Sequence, residues 1–210
     1  MLRIVDADEI ELDRVLVLRI DPVYYRFDVA YSPEEPKTLV EWSEETGALI
    51  TLNGGFFTAE YQATGLTIVN GVPSGWSYDF GGMVAIQNGT PRVRSLAAEP
   101  YQANEVVDAG LQAFPLLVHP DGRGYEEISA DRARRTIIAQ DQTGQILLIV
   151  TARSHFTLSE ISQYLLDSDL NLHIALNLDG GTSTGLLLTE PRIEIPAFVL
   201  MPTVLTVYPR

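Results

Sequence analysis

The chain has 210 residues and a formal net charge of −14, with 28 acidic against 14 basic residues and no cysteine. Such a surplus repels a phosphate backbone and an anionic lipid face, so neither nucleic acid nor a membrane surface is an expected partner. The missing cysteines exclude disulfides, thiolate catalysis and cysteine-ligated metals, while 46% hydrophobic residues supply a sizeable core.

The first nineteen residues carry Asp6, Asp8, Glu9, Glu11 and Asp13, the wrong charge and pattern for a secretory leader. No apolar run reaches the roughly 20 residues of a membrane span; the longest candidates are 146–150 and 198–207, and the second contains Pro202.

Residues 15–20 form a compact apolar run, and 24–30 alternate as a half-buried strand does. Pro33 and Pro36 break the chain. Thr38 and Glu41 then make a capping-box pair, Leu39, Val40 and Trp42 give a short helix an apolar side, and Gly47 stops it. Residues 48–52 read as a buried strand. Residues 66–69 and 83–87 are strand-like, each followed by an Asn-Gly hairpin turn, at Asn70-Gly71 and Asn88-Gly89.

Residues 96–109 give no clear period, and 111–118 return to one apolar run. Residues 136–139 and 145–150 flank a hairpin loop at 141–144. The clearest helix covers 157–167: Thr157 and Glu160 form a second capping box, Phe156 and Ile161 a hydrophobic staple, and Leu158, Ile161 and Leu165 share a face. Strands follow at 173–178, 185–188 and 204–207. With no linker, repeat or low-complexity tract, residues 1–210 read as a single α+β domain, a mixed or antiparallel sheet-rich core with a few short helices.

Two segments spend conformational freedom directly after buried strands. One is Asn53-Gly54-Gly55-Phe56-Phe57; the other is Asn177-Leu178-Asp179-Gly180-Gly181-Thr182-Ser183. Each sends a polar residue out of the core at a strand end and follows it with a glycine pair, which admits positive φ and close approach. Polar groups displayed at strand ends beside such turns build sites, although each segment alone also reads as a plain Asx turn. Neither a P-loop nor a dinucleotide fingerprint is present.

Taken with Arg134-Arg135-Thr136, these segments resemble the phosphodiester glycosidase family over about residues 45–207. Its Asn-(Ala/Gly)-Gly-Phe-Phe motif is matched throughout. Its Pro-Arg-Thr motif keeps Arg135-Thr136 but has Arg134 for proline. Its Asn-Leu-Asp-Gly-Gly-Gly-Ser motif has Thr182 for the third glycine.

The resemblance implies hydrolysis of a sugar phosphodiester, or a related glycosidic bond, at the anomeric carbon, on a sugar phosphate or glycan such as those of a bacterial envelope. It also implies work outside the cytoplasm, while the leader-free pattern of the first nineteen residues keeps a cytoplasmic location as the alternative. The alternative is a carbohydrate-binding or interaction domain of the same fold that no longer turns over, a reading motivated by Thr182 and Arg134.

Cleavage develops oxocarbenium character, which a carboxylate stabilises or attacks, and Asp179 is the first choice for that role. Arg135 is the candidate cation for phosphate oxygens, with a surface ion pair as its plainer reading. Asn53 joins these two as a catalytic candidate through its hydrogen-bonding amide. The substrate-binding candidates are Asn177 and Ser183 through side chains, Gly54, Gly55, Gly180 and Gly181 through N–H groups facing an oxyanion, and Phe56 by stacking on a sugar.

For a second acid, Glu160 is a candidate although it first fits the Thr157 capping box; Asp108, Glu105 and Asp79 stand behind it. Arg134 reads as solvated, and His155 as a cap or surface residue. No cofactor is required; Asp179 with Asp121 or Asp141 would offer calcium its oxygen ligands. Oligomeric state is not legible in the sequence.

Overall fold

A computed structural model describes every residue except Asp6 and Ile128, so the acidic residue counted at position 6 lies outside the described residues. In chain order come β1 (Leu2–Val5), β2 (Glu11–Ile20), β3 (Tyr25–Tyr31), α1 (Leu39–Thr46) and β4 (Ile50–Asn53). Then follow β5 (Thr67–Val69), β6 (Val72–Ser74), β7 (Gly82–Gln87), β8 (Thr90–Ser95), β9 (Ala109–Ala113) and β10 (Leu116–Val118). The last third holds β11 (Thr136–Asp141), β12 (Ile146–Thr151), α2 (Leu158–Leu166), β13 (Leu172–Asn177), β14 (Leu186–Leu188), β15 (Ile193–Ile195) and β16 (Thr203–Pro209).

The strands assemble into three antiparallel sheets within one domain. A six-stranded sheet has the order β1-β2-β12-β11-β13-β10; a five-stranded sheet runs β15-β14-β4-β16-β3; a third runs β6-β5-β9-β7-β8. Alternation along the strands explains the layering. On β11 and β12, Ile138, Ile146, Leu148 and Val150 enter the main core between the sheets. Their neighbours Ile137, Ala139, Leu147 and Ile149 face outward and are covered by Phe156, Ile161 and Leu165 of the α2 region. β12 is therefore apolar at consecutive positions, as a strand buried on both faces must be. Helix α1 covers the second sheet with Leu39 and Trp42 on Leu187 and Val204.

Both capping boxes form. Thr38 Oγ1 accepts the Glu41 N–H at 3.2 Å while Glu41 accepts the Thr38 N–H at 2.8 Å. Thr157 and Glu160 repeat this at 3.2 and 2.9 Å. Gly47 closes α1 in the left-handed region, φ 66°. The apolar run 111–118 is not one strand. Pro115 interrupts it, and the halves join different sheets: β9 the third, β10 the edge of the first. That division places Phe114 at the junction where the two glycine-pair turns also end.

Candidate functional site

Asn53 ends β4 with its side chain almost wholly buried, 1% exposed. Its amide Nδ2–H donates to the Asp179 carbonyl at 2.8 Å. Its Oδ1 accepts the Thr136 hydroxyl at 2.7 Å and the Gly185 N–H at 3.0 Å. The Asp179 N–H in turn donates to the Gly54 carbonyl at 3.2 Å. The two motifs, far apart in sequence, thus share one backbone junction, with Asn53 spent on holding it.

The glycines are there for close packing. A Cβ on Gly54 would lie 2.1 Å from Thr203 Cγ2 and 3.0 Å from the Thr203 carbonyl oxygen. One on Gly180 would lie 2.9 Å from the Arg134 carbonyl oxygen. Three of the four N–H groups expected to face an oxyanion are occupied. Gly54 donates to Thr203 at 3.0 Å, Gly181 to the Arg134 carbonyl at 2.8 Å, and Gly180 to Asp179 Oδ1 at 2.8 Å. Among the described residues the Gly55 N–H has no acceptor in the chain.

Asp179 follows β13 and is half-buried. Burial raises its carboxyl above the ordinary aspartate value, and the Ser183 hydroxyl and Gly180 N–H offset part of that rise. No cation contributes to it. Ser183 lies beside the carboxylate in the 3-10 turn Gly181–Ser183. Asn177 is buried at the end of β13. Its Nδ2–H donates to the Phe114 carbonyl at 3.1 Å, while its Oδ1 meets no donor. Phe56 packs against Phe114 at a tilt of 36°, with ring centroids 4.9 Å apart.

The arginines differ from expectation. The β11–β13 register pairs Ile137 with Asn177, and the Leu178 N–H donates to the Thr136 carbonyl at 2.8 Å, so the next ladder position sets Arg135 opposite Asp179. The guanidinium nevertheless turns away from the acid. Its Nη2 donates to the carbonyls of Asp131 at 2.7 Å and Phe156 at 3.3 Å, and its Nε to Phe156 at 3.4 Å. Nη1 has no acceptor among the described residues.

Arg134 is not solvated: it is 6% exposed, because the segment before β16 closes over it. Its Nη2 donates to the Pro196 carbonyl at 2.9 Å, and the Phe198 ring lies 4.7 Å from its guanidinium carbon. Among the described residues Nε and Nη1 have no hydrogen-bond partner.

The second-acid candidates are placed elsewhere or occupied. Glu160 caps α2 and takes both Arg132 amino groups at 2.7 and 2.5 Å, and that pairing first, then the Thr157 N–H, holds its carboxyl below the usual glutamate value. Glu160 is thus engaged in the α2 cap and with Arg132, which speaks against a free general acid there. Glu105 is paired with Arg94 at 2.6 Å, and Asp108 accepts the Asn88 N–H at 2.6 Å on the third sheet. Asp79 is exposed on the 75–81 loop.

Asp141 lies at the far end of β11, bound by Arg19 and the Thr143 and Gln145 N–H groups, while Asp121 is held by Arg123 at 2.8 Å. Among the described residues no cluster of three or more acidic or histidine side chains is arranged for a metal.

Sequence reasoning missed an aromatic wall beside this junction. Phe114 packs edge-on to Phe80 at 5.4 Å and to Tyr78 at 5.6 Å, and Tyr78 stacks on Phe80 at 5.0 Å. The signal was available: Trp76, Tyr78 and Phe80 sit in one short stretch between Gly75 and Gly81. A cleft of about 740 Å³ opens against Phe80, Phe114, Pro115 and Leu116.

The phosphodiester glycosidase family model matches residues 46–202. Among solved structures, the chain is similar to the catalytic domain of zebrafish N-acetylglucosamine-1-phosphodiester alpha-N-acetylglucosaminidase, auto-inhibited by its pro-peptide. The TM-score is 0.74 at 16% identity, covering 100% of this chain and 81% of that one. A hypothetical protein from Synechocystis gives 0.67 at 17% identity, covering 94% and 59%. A Burkholderia pseudomallei protein described as exported gives 0.68 at 13%, covering 93% and 74%. At these identities the structural likenesses speak for the fold alone. A search of curated proteins gave no match. The family model spans both glycine-pair turns and the strands that carry them, and on that match the chain belongs to the phosphodiester glycosidase family.

Proposed function

We propose that the chain is a hydrolase that cleaves a sugar phosphodiester, or a related glycosidic bond, at the anomeric carbon. The observation that carries this reading is Asp179: a half-buried carboxyl with no cation beside it, fixed through its own backbone by Asn53 and Gly54.

Cleavage leaves positive charge on the ring carbon and oxygen. A carboxylate poorly solvated in the resting enzyme is stabilised as that charge develops, which lowers the barrier. The phosphate leaves as a monoester whose second pKa is about 6, so it departs without strong protonation. This agrees with a site whose other candidate carboxylates are paired or remote. Among the described residues the Gly55 N–H and the buried Asn177 Oδ1 have no partner in the chain, a donor suited to a phosphate oxygen and an acceptor suited to a sugar hydroxyl, whereas Arg135 reaches a phosphate only by leaving the Asp131 and Phe156 carbonyls. Asn53 holds Asp179 through its backbone rather than touching substrate.

An extracytoplasmic place of work follows from the same reading, supported by the likeness to a protein described as exported. No described helix is long and apolar enough to cross a membrane.

The test is release of N-acetylglucosamine from an N-acetylglucosamine-1-phosphodiester by the parent chain and by Asp179→Asn. Turnover by the parent that is lost in the variant supports the proposal; equal rates overturn the role of Asp179. Tight binding without cleavage by the parent selects the alternative of a binding domain.

A further inference from the structure

Arg134 is buried, and among the described residues no carboxylate bonds to it; Asp13 acts on it through space. A guanidinium carries five N–H donors. Arg134 spends one, from Nη2 to the Pro196 carbonyl at 2.9 Å, while Nε and Nη1 meet no acceptor. Nη2 shares one edge of the guanidinium plane with Nε and the other edge with Nη1. The Pro196 carbonyl takes one Nη2 hydrogen, so whichever edge it occupies, the other keeps two parallel N–H groups free. Such a pair of donors is what two phosphate oxygens accept.

The backbone ties this residue to the Asp179 turn. The Arg134 carbonyl accepts the Gly181 N–H at 2.8 Å, and a Cβ on Gly180 would lie 2.9 Å from the same oxygen. The Phe198 ring lies 4.7 Å from the guanidinium carbon, and the Phe198 N–H donates to the Thr182 carbonyl at 2.8 Å. Arg134 and Thr182, the two departures from the family motifs, thus both contact Phe198. The ring is 68% exposed, so turning it outward gives up little apolar contact and leaves its backbone bond in place. An arginine buried without a counter-ion is costly, and its orphan donors mark a missing acceptor.

We propose that Arg134 is a phosphate-binding residue covered by Phe198: when the ring turns out, the free edge of the guanidinium takes two oxygens of the phosphate group of the substrate. This rests on the hydrolase reading above for the source of the phosphate, while capture of inorganic phosphate tests the site without it. Arg135, one position along, fits this role less well because it is spent on the Asp131 and Phe156 carbonyls. A proline at position 134 would have no donor to offer.

Nitrogen-15 NMR of the arginine side chains reads capture of inorganic phosphate without turnover, in the parent and in variants shown folded by thermal unfolding. The parent is expected to saturate, with the Arg134 Nε resonance shifting. Arg134→Gln is expected to weaken phosphate about tenfold or more, the scale of a hydrogen bond to a charged group. Arg134→Lys keeps the charge and loses the fork, and is expected to weaken it as well. Phe198→Ala is expected to tighten it about threefold, since the ring no longer competes for the guanidinium. Opposite signs for the Arg134 and Phe198 variants are what a merely structural arginine would not give.

If the parent captures no phosphate, if Arg134→Gln binds it as the parent does, or if Phe198→Ala fails to tighten it, the inference is wrong. Hydrolysis assays identify the source. Arg134→Gln is expected to raise KM about tenfold for an N-acetylglucosamine-1-phosphodiester and to leave KM unchanged for p-nitrophenyl N-acetyl-α-glucosaminide, which has no phosphate. Capture of inorganic phosphate with both KM values unchanged would overturn the assignment to the substrate. Hydrolysis by a chain that captures no phosphate would remove this inference and leave the hydrolase reading standing. Capture at Arg134 with no hydrolysis would remove that reading and leave a site for free phosphate.

Discussion

The Asn53 side chain and the Asp179 backbone are joined by a 2.8 Å hydrogen bond across 126 residues of sequence. This bond couples the first glycine-pair turn to the second. It makes Asn53 a positioning residue whose loss is felt as stability and geometry together.

Asn53→Ala leaves the Thr136 hydroxyl and the Gly185 N–H without their acceptor in the interior. Each such orphan costs about 1–3 kcal/mol, so a loss of about 3 kcal/mol is expected by urea unfolding. Asn53→Asp keeps the acceptor but sets a buried carboxylate oxygen against the Asp179 carbonyl, and it is expected to cost more stability at pH 7 than the alanine variant. Equal costs for the two variants would argue against this division of labour.

The glycines separate by mechanism. Gly54→Ala forces a methyl into Thr203 and is expected to destabilise by about 3 kcal/mol, the upper part of the overpacking range. Gly181→Ala meets nothing within 4 Å but keeps φ at +61°, and it is expected to cost only about 1 kcal/mol. Denaturant midpoints of the two variants measure the difference, and a reversed order would contradict the packing argument.

Asp179 has a pH signature. Its folded-state pKa is raised, so its contribution to stability is complete below the ordinary value of 3.8 and is lost as pH rises through the folded value. Asp179→Asn removes that loss. The variant is therefore expected to be more stable than the parent at pH 7, with the gap closing on acidification to about pH 3. A gap that is constant with pH, or that widens in acid, would show that burial does not govern this carboxyl.

Glu160 behaves in the opposite sense. Its lowered pKa means that its contribution is present above the ordinary value of 4.5 and is lost as pH falls through the folded value. Glu160→Ala is expected to cost about 1 kcal/mol at pH 7 through the α2 cap, and to retain most of the hydrolytic rate. A collapse in rate with the fold intact would return Glu160 to the chemistry.

Much of this architecture was legible where the determinants are local. The capping boxes at Thr38 and Thr157, the stop at Gly47, and the Asn70-Gly71 and Asn88-Gly89 turns depend on residues within a few positions of each other. The two glycine-pair motifs announced their junction because a Cβ at Gly54 or Gly180 has no room.

What the sequence did not show depended on distant chain. Arg134 looked solvated because nothing near it in sequence buries it, yet Pro196 and Phe198 do. Arg135 was read as a phosphate clamp because its strand position is right. The direction of its guanidinium is set by carbonyls at Asp131 and Phe156 that no spacing reveals. The run 111–118 looked continuous because hydrophobicity does not report which sheet each half joins.

The most direct test of the central claim is the rate of N-acetylglucosamine release from a sugar 1-phosphodiester by Asp179→Asn against the parent, with both shown folded by thermal unfolding. A fall of about a thousandfold or more is expected, the scale on which losing a charge that opposes the transition-state charge acts. Parental turnover in the folded variant would contradict the account.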